Sequence, residues 1–105
     1  MSEDAQPDRT LLRTVVRGRV QGVGFRAWTQ HQAQLHDLEG WVRNLRDGSV
    51  EAMFAGPLGR IELVLKALRE GPHGSEVEAV EEYPATAEEF GDRPTSGGFA
   101  VRRTA

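Results

Sequence analysis

The chain has 105 residues, of which 38% are apolar, and this is enough for one domain with a modest core but too little for two. Its 13 Lys and Arg against 16 Asp and Glu give a formal net charge of −3, a balance that argues against a general nucleic-acid binder. The chain contains no cysteine, which excludes disulfides, thiolate nucleophiles and cysteine-ligated metal sites.

The N-terminal residues 1–9 are polar and aperiodic, so we expect a flexible tail there and one folded domain over residues 10–105. No apolar run approaches the roughly 20 residues needed to span a bilayer. Together with the absence of cysteine, this favours a cytoplasmic protein that does not associate with membranes.

Residues 11–20 alternate between apolar and polar side chains, which predicts a strand with one solvated face. One face carries Leu12, Val16 and Val20, and the other carries Arg13, Val15, Arg17 and Arg19. Gly22 and Gly24 then interrupt the pattern. Apolar residues recur at helical spacing up to about residue 37, which predicts a helix after a glycine-rich turn. Its apolar positions are Phe25, Trp28 and Leu35.

Two strand-like runs, residues 41–46 and 49–55, flank the dipeptide Asp47-Gly48. This dipeptide is typical of tight β-hairpin turns, because glycine tolerates the positive φ that they require. We therefore expect two antiparallel neighbours. Their register stays open, since a two-residue loop places Asn44 opposite Glu51 and a longer, bulged loop places it opposite Val50.

Gly56-Pro57 predicts the start of a second helix, which Gly71-Pro72 ends. Its buried stripe is predicted to be Leu58, Ile61, Leu65 and Leu68. A fourth strand follows, in which Val77, Ala79 and Tyr83 alternate with Glu78, Val80 and Glu82. Residues 84–98 are predicted to form a turn-rich loop, and residues 99–102 a short edge strand.

The resulting order, β-α-β-β-α-β with an extra C-terminal strand, predicts an α+β fold of the ferredoxin-like type: an antiparallel sheet with two helices on one face. An RNA-binding sheet of this topology needs paired aromatic residues on the exposed face of its third strand. The third strand here offers only Phe54, so we expect no nucleic-acid partner.

The glycine-rich turn at residues 18–26 lies directly before a helix N-terminus. Backbone N–H groups in such a turn can converge on an anion, and the helix end adds about half a positive charge. Arg26, in the first helical turn, can reach the same anion with its planar guanidinium. The sequence therefore predicts a phosphate-sized site, with a plain chain reversal and a solvated Arg26 as the open alternative.

Residues 22–27 also fit the dinucleotide-binding fingerprint G-x-G-x-x-A. That fold requires a parallel crossover where this chain predicts an antiparallel hairpin, which argues against it. Asn44, just before the hairpin turn, can donate to a phosphate oxygen and accept from a water, so it is a candidate for aiming a nucleophilic water. The open alternative is that Asn44 satisfies the turn backbone.

Two segments of the chain resemble the acylphosphatase family. Residues 16–26, VRGRVQGVGFR, are similar to the family's phosphate-binding loop, and residues 40–44, GWVRN, continuing through Gly48, Val50 and Gly56, are similar to a second signature. The resemblance implies that Arg26 binds the phosphoryl group and that Asn44 orients the attacking water. The amides that it assigns to phosphate binding are those of Gln21, Gly22, Val23, Gly24, Phe25 and Arg26.

The resemblance implies hydrolysis of acyl phosphates to a carboxylate and inorganic phosphate, with no metal and no other cofactor. The residues present suit this chemistry, because a carboxylate of low pKa leaves without a general acid. The expected partner is a small acyl phosphate, and the expected state is a monomer. The alternative is a non-catalytic module on the same fold that binds a phosphate-bearing ligand.

Overall fold

The structure, a computed structural model, describes residues 9–91 and 98–105. These residues form the predicted ferredoxin-like α+β fold, with one short helix in addition. The elements are β1 (Thr10–Arg19), α1 (Phe25–Leu35), β2 (Glu39–Asn44), β3 (Val50–Gly56), α2 (Leu58–Glu70), β4 (Glu76–Pro84), α3 (Ala87–Phe90) and β5 (Phe99–Val101).

The strands form one sheet in the order β4-β1-β3-β2-β5. The first four strands pair antiparallel, as predicted. The last strand lies at the edge, as predicted, but it pairs parallel to β2, so an all-antiparallel sheet is wrong for this strand. The chain between β4 and β5 connects opposite edges of the sheet, and no tight hairpin sets the direction of β5.

Helices α1 and α2 pack on one face of the sheet and enclose the main core. Phe54 of β3 lies in this core, is fully buried and stacks on Phe99, with the ring centroids 5.4 Å apart. The ring of Phe54 is therefore not available on the exposed face of the sheet. Strand alternation directs its ring to the helices, because the neighbouring Met53 faces the other side.

A second, smaller cluster covers part of the other face of the sheet. Phe90 of α3 packs there with Trp41 and Met53, and the indole Nε1 of Trp41 donates to the Phe90 carbonyl at 2.8 Å. Val15, on the β1 face that we expected to be solvated, is only 4% exposed. The prediction of a solvated face is thus wrong for β1 at Val15.

The alternation predicted for β4 is broken by a bulge. Its pairing with β1 shifts between Arg17 and Gly18, which oppose Ala79 and Val77 and leave Glu78 as an extra residue. Val77 and Val80 consequently both pack against the main core, although strict alternation assigns them to opposite faces. A bulge inserts one residue and so reverses the faces beyond it.

The helices begin and end close to the predicted residues, but their end positions are less buried than the apolar spacing indicates. Leu35 at the end of α1 is 61% exposed, and Leu58 at the start of α2 is 44% exposed. In α1 the buried positions are Phe25, Thr29 and Ala33. The two ends of α1 thus differ, since Phe25 at its start is 2% exposed, and helical spacing alone does not predict which end residue is buried.

The hairpin between β2 and β3 has the longer of the two loops considered. Asn44 pairs with Val50, and the Leu45 N–H donates to the Ser49 carbonyl at 2.9 Å. Gly48 adopts a φ of 96°, the left-handed conformation that closes loops of this type.

Residues 1–8 of the predicted N-terminal tail lie outside the described residues, as do residues 92–97 of the predicted loop. The described part of that loop contains α3, whose Thr86 and Glu89 form a reciprocal capping box. No helix within the described ranges has the length and apolar character needed to cross a bilayer.

Candidate active site

The glycine-rich turn after β1 contains two glycines in the left-handed backbone conformation. Gly22 and Gly24 have φ values of 76° and 77°, while Val23 between them and Phe25 after them have negative φ. This alternation of sign turns successive N–H groups toward a common side. A side chain at either glycine would meet nothing within 4 Å, so backbone conformation and not space accounts for glycine here.

The turn leads directly into α1, for which Gly24 is the N-cap residue. No side chain caps the helix, and its first turn contains no acidic residue. In the described parts of the chain, no protein acceptor takes the backbone N–H groups of residues 22–26. These donors and the positive end of the helix dipole together favour an anion at this place.

Arg26 lies in the first turn of α1 and is half-buried. Its Nη1 donates to the backbone carbonyl oxygen of Arg102 at 3.1 Å, which anchors one edge of the guanidinium to the segment after β5. Among the residues that the structure describes, no carboxylate lies within ion-pair distance of Arg26. Its remaining donors and its full charge are thus available to an exogenous anion.

Asn44 ends β2, and its backbone carbonyl accepts from the Ala105 N–H at 3.0 Å. Its side chain makes no hydrogen bond with the described residues, so the alternative that it satisfies the turn backbone is wrong. A half-buried amide with both its donor and its acceptor free can hold a water or a phosphate oxygen.

Arg26, Asn44 and the glycine turn line one cavity of about 220 Å³. Of the residues predicted for phosphate binding, all except Val23 line it; the Val23 side chain packs against the main core instead. Sequence analysis missed three lining residues, which are Val20, Ala27 and Val101. Val20 and Ala27 directly flank the predicted phosphate-binding residues 21–26 in sequence, whereas Val101 reaches the cavity only because β5 pairs with β2.

Two further contacts of the site carry no clear sequence signal. One is the backbone carbonyl of Arg102 that accepts from Arg26, because a residue of any type at position 102 has such a carbonyl. The other is the Gln21 side chain, whose Nε2 donates to the carbonyls of Leu45 and Ser49, both at 2.8 Å. Sequence analysis assigned Gln21 a role for its backbone amide alone.

Three arginines of the sheet, Arg13, Arg17 and Arg43, differ from Arg26 because each is paired with an acid. Arg13 and Arg43 both bind the buried Glu51, at 3.1 and 2.7 Å. Arg17 binds Glu81, whose hydrogen bond and charge raise the pKa of this guanidinium. Compensated cations of this kind attract an external anion less strongly than an uncompensated one.

The hairpin loop beside the cavity is stabilised by Asp47. One of its carboxylate oxygens accepts from the backbone N–H and the hydroxyl of Ser49. These hydrogen bonds, with a smaller contribution from Arg17, lower the pKa of Asp47 below its usual value. The loop that follows Asn44 is therefore held by a charged side chain.

No group of three or more His, Asp or Glu side chains within residues 9–91 and 98–105 is arranged to hold a metal ion. The cavity lining itself contains one guanidinium and no carboxylate or imidazole. Hard divalent cations prefer carboxylate ligands, and this lining supplies none.

The chain is similar to known proteins of one family. Residues 12–95 match the family model for acylphosphatase. An acylphosphatase of Bradyrhizobium diazoefficiens is 47% identical over 96 residues, which cover 91% of this chain and 97% of the relative. One of Rhodopseudomonas palustris is 50% identical over 96 residues, which cover 90% of this chain and 97% of the relative.

The solved structure of an acylphosphatase from Coxiella burnetii has the same fold, with a TM-score of 0.78 and 33% sequence identity. The match covers 90% of this chain and 94% of that structure. A family model that spans most of the chain, relatives near half identity and a shared fold all agree. The chain therefore belongs to the acylphosphatase family, hydrolases that act on the acid anhydride bond of acyl phosphates.

Proposed function

We propose that this chain hydrolyses acyl phosphates in the cavity between the glycine turn, Arg26 and Asn44, and that it does so without a metal ion. One observation carries the proposal. An uncompensated guanidinium, a set of free backbone N–H groups and a free amide side chain converge on one cavity, the first two from residues 22–26 and the third from Asn44 at the end of β2. These are the groups that a phosphoryl dianion and an attacking water require.

In the proposed ground state, the phosphoryl oxygens accept from the backbone N–H groups of residues 22–26 and from the Arg26 guanidinium. Each charge-assisted hydrogen bond of this kind contributes about 1.5–3 kcal/mol. The planar guanidinium can offer two parallel N–H donors to two oxygens of the same phosphoryl group.

In the proposed chemical step, a water held by the Asn44 amide attacks phosphorus while the bond from phosphorus to the acyl oxygen breaks. The acyl group leaves as a carboxylate, and the two protons of the water remain with the inorganic phosphate. No general acid is needed for so weakly basic a leaving group. Catalysis then consists of positioning and of stabilising the equatorial oxygens in a loose transition state.

The test is phosphate release from benzoyl phosphate in the presence and absence of EDTA, with the wild-type chain, Arg26→Ala and a control. Arg60→Ala is a matched control, because Arg60 is an exposed arginine on α2 that pairs with Asp37 and does not line the cavity. We expect full activity in EDTA, loss of at least ~100-fold in kcat/KM for Arg26→Ala and no loss for Arg60→Ala.

Loss of activity in EDTA would contradict metal independence, and an active Arg26→Ala would remove Arg26 from the site. Phosphate binding without turnover of benzoyl or acetyl phosphate by the wild-type chain would favour the non-catalytic alternative.

A further inference from the structure

We infer that the Gln21 side chain is a positioning residue that sets the placement of Asn44 relative to the phosphate-binding turn. This inference rests on the function proposed above for Asn44 and extends it to a residue that does not touch the reacting atoms. The observation that carries it is a pair of hydrogen bonds, from Gln21 Nε2 to the Leu45 carbonyl and to the Ser49 carbonyl, both 2.8 Å long.

The two acceptors lie at the neck of the β2–β3 loop, where the hairpin closes. The Leu45 carbonyl also accepts from the Gly48 N–H at 3.2 Å, and the Ser49 carbonyl from the Leu45 N–H at 2.9 Å. The Gln21 amide therefore adds a second donor to each of two carbonyls that already define the loop. Both hydrogens of its nitrogen are used, so this side chain has no donor left for a ligand.

Among neutral side chains, glutamine alone meets the requirements of this contact. The contact needs one nitrogen with two hydrogens, carried on a chain long enough to cross from the glycine turn to the hairpin. Asparagine has the same amide but is one methylene shorter, and methionine has the same length but no donor. The contact is also half-buried, so competition from solvent is reduced.

The Gln21 contact joins the two parts of the site, because each of its ends adjoins one of them in sequence. Gln21 directly precedes Gly22 of the phosphate-binding turn, and Leu45 directly follows Asn44. The Asn44 side chain has no partner among the described residues, so its position depends on its backbone. One side chain thus joins the element that holds the phosphoryl group to the element that holds the water, and a misplacement of 1 Å can cost about 100-fold in rate.

The experiment is a double-substitution cycle on Gln21→Met, Asn44→Ala and the combined variant, with benzoyl phosphate as substrate and inorganic phosphate as competitive inhibitor. We expect Gln21→Met to lower kcat about 10-fold or more, with the inhibition constant of phosphate changed less than about 3-fold, because the turn and Arg26 are intact. In the Asn44→Ala background, we expect Gln21→Met to lower kcat by less than about 2-fold.

Thr14→Val is the structural control. It removes a buried hydrogen bond from a side chain to the Ala52 carbonyl, in the centre of the sheet and away from the cavity lining. We expect it to lower the melting temperature while kcat is unchanged. If Gln21 only supported the fold, Gln21→Met would behave in the same way, with reduced stability and an unchanged kcat.

The outcomes distinguish this inference from the proposal on which it rests. An unchanged kcat for Asn44→Ala would overturn the role of Asn44. A reduced kcat for Asn44→Ala, combined with equal effects of Gln21→Met in both backgrounds, would overturn the inference alone. If Gln21→Met does not fold, Gln21→Asn is measured in its place, and it is expected to lower kcat because its amide does not reach both carbonyls.

Discussion

Arg26 donates from Nη1 to the backbone carbonyl oxygen of Arg102, 3.1 Å away and 76 residues further along the chain. One edge of the guanidinium is thereby fixed, and the other donors of the group are directed by this anchor. A planar group held at one edge presents the rest of its donors in a defined plane, which suits the paired oxygens of a phosphoryl group.

Arg26→Lys is therefore expected to fail although it preserves the charge. A single ammonium cannot bind the Arg102 carbonyl and also present a planar pair of donors to the substrate. We expect kcat/KM for benzoyl phosphate to fall roughly 100-fold, which corresponds to about 2.7 kcal/mol of transition-state stabilisation. Arg60→Lys on the exposed face of α2 is the matched control and should leave kcat/KM unchanged. Activity of Arg26→Lys close to that of the wild type would show that charge alone suffices.

Asn44 is expected to act on the chemical step more than on binding. Asn44→Ala removes the group that holds the water but leaves the glycine turn and Arg26 in place, so kcat should fall about 10- to 100-fold while KM changes little. Asn44→Asp places a negative charge beside the phosphoryl oxygens and should also raise KM. Steady-state kcat and KM of the wild type, Asn44→Ala and Asn44→Asp check both expectations. A rise in KM alone for Asn44→Ala would contradict the role of Asn44 in the chemical step.

The hairpin loop should lose stability in acid through Asp47. The pKa of this carboxylate is lowered in the folded state by its hydrogen bonds from Ser49, so the carboxylate stabilises the fold above its unfolded pKa of about 4. That contribution is lost as the pH falls through the lower folded pKa. The melting temperature of Asp47→Asn should lie below that of the wild type at pH 7, and the difference should shrink toward pH 2. A difference that is constant with pH would show that the charge is not involved.

Thr29 should be replaceable by valine with a gain in stability. It is 1% exposed in α1, and its hydroxyl has no hydrogen-bond partner among the residues that the structure describes. Burying an unpaired hydroxyl costs about 1–3 kcal/mol, and Thr29→Val removes it at nearly constant volume. We expect the free energy of unfolding to rise by about 1 kcal/mol, or a melting temperature roughly 4–8 °C higher. Thr29→Ser, which keeps the hydroxyl and loses the methyl group, should be destabilising in the same denaturation experiment.

Local sequence signals were sufficient for much of the architecture. The order of the predicted strands and helices, the antiparallel hairpin around Asp47-Gly48 and the end of α2 at Gly71 were predicted correctly, whereas the short helix α3 lies where a loop was predicted. Each rests on a preference that acts within a few residues, such as alternation, helical spacing or the tolerance of glycine for positive φ. The family and its acyl phosphate chemistry also followed from two short segments. A cytoplasmic location and a monomeric state stay predictions.

Errors arose where a distant segment decided the outcome. The bulge at Glu78 reversed the faces of β4, and Val15 is buried on a face of β1 that alternation alone predicts to be solvated. Leu35 and Leu58 have the spacing of buried residues, yet their exposed fractions are 61% and 44%. Whether an apolar residue is buried depends on the other elements that pack against it, and the spacing of apolar residues along one element does not identify those elements.

By itself, the sequence determined the chemical groups of the site: a glycine turn able to adopt positive φ, an arginine at a helix start and an asparagine before a hairpin. Only the tertiary structure decided how they meet. The register of Asn44 against Val50 depends on how the two hairpin strands pair. The contact of Arg26 with the Arg102 carbonyl and that of Gln21 with the hairpin depend on pairing between segments that are distant in sequence. Such pairing is set by the free energy of the whole core, since each strand shifts its register to bury the apolar faces of its neighbours.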